Sequence, residues 1–90
     1  MKPTVKKNLI IIHNCNDWEI IKEKLIDEHG VTILMRHKMK RDLGFTVREH
    51  RGLMPVPALK DNKMYYYYED QIHLDFYNES SLSWFQLRYL

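Results

Sequence analysis

Four consecutive tyrosines, Tyr65 to Tyr68, restrict this chain more than any other feature of its sequence. In an extended strand neighbouring side chains leave opposite faces, so Tyr65 and Tyr67 share one face while Tyr66 and Tyr68 share the other. At most one pair then reaches a core, and the other is exposed or meets a partner. Tyrosine joins a large apolar area to a polar tip at low rotamer cost, which suits interfaces and base stacking as well as sheet packing. The last third of the chain holds every tyrosine and ends in a second aromatic cluster, Trp84, Phe85 and Tyr89.

Ninety residues make a single domain, residues 1–90, with a small core that dimerisation would reinforce. The apolar fraction of 44% and charged fraction of 29% are those of a folded chain, which argues against wholesale disorder. The single cysteine, Cys15, excludes an internal disulfide, and no apolar run approaches the ~20 residues of a membrane-crossing helix. The basic start is followed by only a short apolar run, Leu9 to Ile12, so no export signal is read and a cytoplasmic location is expected. Net charge is only +2, so electrostatic function must come from local clustering.

The continuous β-branched run Leu9–Ile12 reads as a central strand. Asn16, with Glu19 three residues on, reads as the cap of a helix whose stripe is Trp18, Ile21 and Leu25 and whose stop is Gly30. From Val31 the period changes to two: Val31, Ile33, Met35, His37 and Met39 alternate with more polar partners, which predicts a strand with a basic face. A loop at Asp42-Leu43-Gly44 would return it along Phe45–Arg51, with Arg41 opposite Phe45 and Lys38 opposite Arg48. Gly52–Leu59, broken by Pro55 and Pro57, reads as an extended connector to a turn at Lys60-Asp61-Asn62-Lys63. A second hairpin is expected from Met64–Tyr68 and Ile72–Tyr77 around Glu69-Asp70-Gln71. Asn78–Ser81 then introduces a short terminal helix with the stripe Leu82, Phe85, Leu87 and Tyr89, a last strand being the alternative. The fold class is α+β: one mostly antiparallel sheet with a long helix and a short C-terminal helix, in the order β-α-β-β-β-β-α, helices on one side.

The basic hairpin is the first functional candidate. Arg36, Lys38, Lys40 and Arg48 would project from one face, with Arg41 at the turn and Arg51 at the end, a spacing that can track phosphates. The second is an aromatic partner interface of Tyr66, Tyr68, Trp84, Phe85 and Tyr89. A third cluster, His13, Cys15 and Asp17, lies where strand gives way to helix, the one place where a nucleophilic thiol or a His-x-Cys ligand pair is conceivable. It lacks an anion-binding glycine loop and a compact ligand pattern. The carboxylates show no pairing for acid–base work, so no catalytic residue, cofactor or metal is assigned. The glycine and aromatic spacing of the RNA-recognition motif is absent.

The segment Asp75-Phe76-Tyr77-Asn78-Glu79-Ser80-Ser81-Leu82-Ser83-Trp84-Phe85-Gln86-Leu87-Arg88-Tyr89 passes from a strand through an acidic turn to an aromatic pair before Leu-Arg-aromatic. It resembles the tails of small accessory proteins of large tailed phages, over less than a fifth of the chain. The resemblance implies a small early protein that binds a host factor, either redirecting transcription or RNA turnover or neutralising an antiviral system such as a ribonuclease toxin; it assigns no site residue. The expectation is therefore a non-enzymatic, homodimeric binding protein of the host cytoplasm that engages RNA or an RNA–protein complex through the basic hairpin. The competing reading is a pure protein–protein inhibitor acting through the aromatic surface, and a small thiol or metal enzyme at Cys15 is third.

Overall fold

The computed structural model describes residues 2–57 and 64–90. The expected turn at Lys60–Lys63 lies outside the described residues. Strands β1 (Thr4–Lys6) and β2 (Leu9–Ile12) form a short hairpin through Asn8, whose φ of 59° lies in the left-handed region. Helix α1 (Cys15–His29) follows, then a 3-10 turn at Val31–Leu34, helix α2 (Arg36–Leu43), the long strands β3 (Phe45–Pro57) and β4 (Met64–Phe76), and helix α3 (Glu79–Tyr89). The class is α+β, as the sequence predicts, but the element order is β-β-α-η-α-β-β-α.

All strand pairs are antiparallel and the sheet order is β1-β2-β4-β3. Ile10, Ile12, Ile72, Leu74, Phe76 and Phe45 point to one face, where α1 supplies Trp18, Ile21 and Leu25 and α3 supplies Phe85 and Tyr89. Phe85 makes an edge-on contact with Phe45 at 5.2 Å between centroids and with Phe76 at 5.6 Å. This aromatic wedge closes the end of the sheet where β3 begins and β4 ends.

The helix stripe of α1 is as expected, but its cap is Asn14, whose side chain accepts from Asn16 N–H at 2.8 Å, and not Asn16. Asn78 caps α3 by accepting from Ser81 N–H. The larger correction concerns residues 31–43, which are helical and not a strand. Their alternation was a coincidence of composition: Ile33, Met39 and Leu43 are the residues buried, and Met39 and Leu43 stand one helical turn apart. Lys40 and Arg41 occupy the last turn, and Gly44 (φ 78°, ψ 18°) receives the chain in a left-handed cap, donating to the Met39 and Lys40 carbonyls. The basic hairpin therefore does not exist.

The second expected hairpin is corrected in the same way. Glu69-Asp70-Gln71 is not a turn but the middle of β4, which runs unbroken for 13 residues beside β3. Of the residues that favour turns that tripeptide has only Asp70, whereas Phe76 and Leu74 gain Phe45 and Val47 as cross-strand partners by continuing straight. The proline-bearing segment to Pro57 is strand and not connector, because β3 is an edge.

Candidate functional site

β2 borders β4 only from Ile72 to Asp75, so β3 and β4 continue past the helix layer as a two-stranded ribbon of residues 51–57 and 64–70. Seven residues of strand span about 23 Å, and the molecule is drawn out to 51 × 23 × 21 Å. This arm carries the tyrosine run. Neither pair enters the core: Tyr65, Tyr66, Tyr67 and Tyr68 are 46–68% exposed, and Leu53 and Val56 beside them are exposed too. Tyr66 and Tyr68 lie on the helix side of the ribbon with Leu53 and Pro55, and Tyr65 and Tyr67 on the other side with Met54 and Val56. Arg51 lies over the Tyr68 ring at 5.6 Å and faces Asp70 at 3.5 Å.

The base of the arm is tied to the body by a chain of polar side chains on the sheet face opposite the helices. Thr4 Oγ1 meets His13 Nε2 at 2.7 Å, and His13 Nδ1 donates to Glu69 Oε1 at 2.6 Å. Gln71 Nε2 donates to the same carboxylate at 3.1 Å, while Gln71 Oε1 accepts from His73 Nε2 at 2.8 Å. Strand β1, the residue that follows β2 and strand β4 are thereby joined, across 56 residues of sequence for the His13–Glu69 contact. Burial alone would raise the Glu69 pKa, but the hydrogen bonds from His13, Gln71 and Tyr67 and the His13 charge outweigh it and hold the carboxyl below its usual value. His73, only 6% exposed, is pushed down by burial first and by the Arg48 and His50 charges next. Its Nδ1 is buried without a hydrogen-bond partner, consistent with a neutral ring protonated on Nε2. The His50 ring packs against it at a tilt of 41°, with 4.4 Å between the ring centroids. Gly52 completes this joint, because any Cβ there would sit 2.5 Å from Gln71 Nε2.

The residues expected to form one cationic face are dispersed. Arg36, Lys38, Lys40 and Arg41 belong to α2; Arg48 and Arg51 belong to β3 and point to opposite faces of it. Most are engaged within the chain. Lys38 donates to Thr32 Oγ1, Lys40 caps the Tyr77 ring at 4.5 Å, Arg41 pairs with Asp42 and Arg48 with Asp75.

The expected aromatic interface is also divided. Phe85 and Tyr89 are buried core residues and not contact surface, and the Tyr89 hydroxyl donates to Glu28 at 2.7 Å. Trp84 is 39% exposed, but it sits on α3, at the Phe45–Phe76 end of the sheet, remote from Tyr66 and Tyr68. Of that set only Tyr66 and Tyr68 lie together on the arm.

Cys15 is exposed at the first turn of α1, and His13 turns away from it to Thr4 and Glu69. Among the described residues no group of three or more His, Cys, Asp or Glu is placed to hold a metal ion, and no helix is long and apolar enough to cross a membrane. The Thr4–His13–Glu69–Gln71–His73 chain escaped sequence reasoning. Its only signal was the polar alternation Glu69, Gln71, His73, Asp75, visible once the segment is taken as one strand. Compared with protein families, curated proteins and solved structures, the chain matches none.

Proposed function

We propose that this chain is a non-enzymatic binding protein that modulates a partner protein through its aromatic arm. One observation carries the reading: all four consecutive tyrosines are exposed on a ribbon that extends beyond the helix layer. A two-stranded ribbon gains little stability of its own, and rings that stay about half in water bury too little area to give the arm a core. Tyrosine is enriched at the energetic centre of protein interfaces because its ring buries much area with few rotors to freeze. The dispersal of the cations weighs against a phosphate-tracking face, since Lys38, Arg41 and Arg48 already have partners. The phage resemblance of the C-terminal segment supplies the class of target, a protein of the host cytoplasm.

The test is capture from host lysate at low and high salt, with and without nuclease, by the native chain and by a Tyr66→Ala, Tyr68→Ala double variant of unchanged circular dichroism. The expected result is one stoichiometric protein that survives salt and nuclease and is lost with the two tyrosines. Capture that is nuclease-sensitive, or indifferent to the two substitutions, would overturn the reading.

A further inference from the structure

The two edges of the arm are built differently. Phe76 N–H donates to the Asn8 carbonyl and Tyr77 N–H to the Gly44 carbonyl. Because the hydrogen-bonding groups of successive strand residues alternate sides, even-numbered residues of β4 address the β2 side and odd-numbered ones address β3. Gly44 addresses β4, so along the constant register of the ribbon the odd-numbered residues of β3 face outward. Pro55 and Pro57 are odd: the donors they lack are those an incoming strand would need. The β3 edge of the arm is thus blunted. The β4 edge is not, because before Ile72 no strand borders it among the described residues, and Tyr66, Tyr68 and Asp70 present their N–H and C=O groups there. Neither proline nor glycine interrupts Met64–Asp70.

We propose that a second copy of this chain adds to that edge, pairing β4 antiparallel with its own symmetry mate so that the two arms form one four-stranded sheet. The proposal rests on the reading of the arm as a contact surface and names one occupant of its edge. A two-fold axis normal to the sheet brings residues of the same face together, so it must lie midway between the two copies of one residue. Centred on Tyr67, it overlaps Met64–Asp70 completely, sets Tyr66 opposite Tyr68 in hydrogen-bonded pairs, and places Tyr67 opposite itself. Centred on Tyr68, it would drive the second copy's Met64 into the place that Ile12 holds opposite Ile72. Charge agrees with the Tyr67 centre. The only charged residues of the run, Glu69 and Asp70, then face Tyr65 and Met64 and not each other. The assembly also closes on itself: both β4 edges are consumed and the outer edges of the new sheet are the proline-bearing β3 strands, so a dimer forms and not a fibre. The tyrosine faces remain available on either side of the sheet.

Two measurements on the purified full-length chain test this. Sedimentation equilibrium should give a dimer, and Tyr68→Pro should give a folded monomer, since it deletes an outward donor and no bond to β3. In a Cys15→Ser background, Tyr67→Cys should oxidise to a disulfide-linked dimer, because directly opposed residues of a non-hydrogen-bonded pair stand about 4.5 Å apart at Cα. Tyr66→Cys, whose symmetry mate lies two residues further along, should not. A native chain that is monomeric throughout, or cross-linking equal at positions 66 and 67, would overturn the strand pairing. Both readouts need no other protein, so their failure is distinct from failure of the capture experiment.

Discussion

The two halves of the β3–β4 ribbon share one register and one hydrogen-bond ladder, yet they are opposite materials. In the body half, Phe45↔Phe76 and Val47↔Leu74 are roofed by α1 and α3, and Phe45, Leu74 and Phe85 are fully buried. In the arm half, Leu53↔Tyr68 and Pro55↔Tyr66 have the same geometry and no roof. Apolar area contributes about 25 cal/mol for each Å² removed from water, so similar residues stabilise the first half and contribute little to the second. Strand pairing alone therefore does not make a core; a second layer does. The arm's apolar surface stays in water in the single chain.

The largest expected difference is between core and arm truncations. Phe85→Ala empties the contact between Phe45 and Phe76 and should cost about 3–5 kcal/mol in urea unfolding, whereas Tyr66→Ala at a concentration where the chain is monomeric should cost under about 0.5 kcal/mol. A comparable loss at both sites would break the distinction. At the joint between the halves, Gly52→Ala should cost about 1–3 kcal/mol, because the added methyl displaces the Gln71 amide from Glu69 and His73. An unaltered midpoint would show that the polar chain does not hold the arm.

Titration sharpens the picture of the body. His73 has a folded pKa below its unfolded value of 6.5, so the unfolded chain binds the extra proton. Stability should be complete above pH 6.5 and fall as pH drops from there toward the folded pKa, and His73→Gln should flatten that fall. Tyr89 is raised from 10 to about 12, by burial first and then by Glu28. Its contribution should be complete below pH 10 and vanish as pH rises to about 12, with the phenolate absorbance of one tyrosine appearing late and absent from Tyr89→Phe. The smallest effect is expected from excising the arm: replacing residues 53–68 by Asn-Gly should leave the body folded, with its unfolding temperature little changed. Collapse of the body would mean that the arm is part of its folding unit.

Helix α1 was legible because Trp18, Ile21 and Leu25 repeat at helical spacing and Gly30 ends them, and α3 because Asn78 is a cap followed by Leu82, Phe85 and Tyr89. Residues 31–43 were not, because Val31, Ile33, Met35 and Met39 mimic a strand period over a span too short to discriminate; the basic last turn before Leu43-Gly44 was the better signal. The tyrosine alternation was correctly legible, but not that both pairs are outside.

By itself the sequence determined what is local: the α+β class, the apolar stripe of α1 and its Gly30 stop, the cap region of α3, and the two-faced display of Tyr65 to Tyr68, because each follows from the dihedral and hydrogen-bonding habits of neighbouring residues. Only the tertiary structure decided that His13 reaches Glu69, that the arm outruns the helices, and that Pro55 faces outward while Tyr66 and Tyr68 border empty space. Those facts depend on which strand ends first and which side of each strand is met, a matter of register between segments far apart in the chain, where a shift of one residue reverses every face.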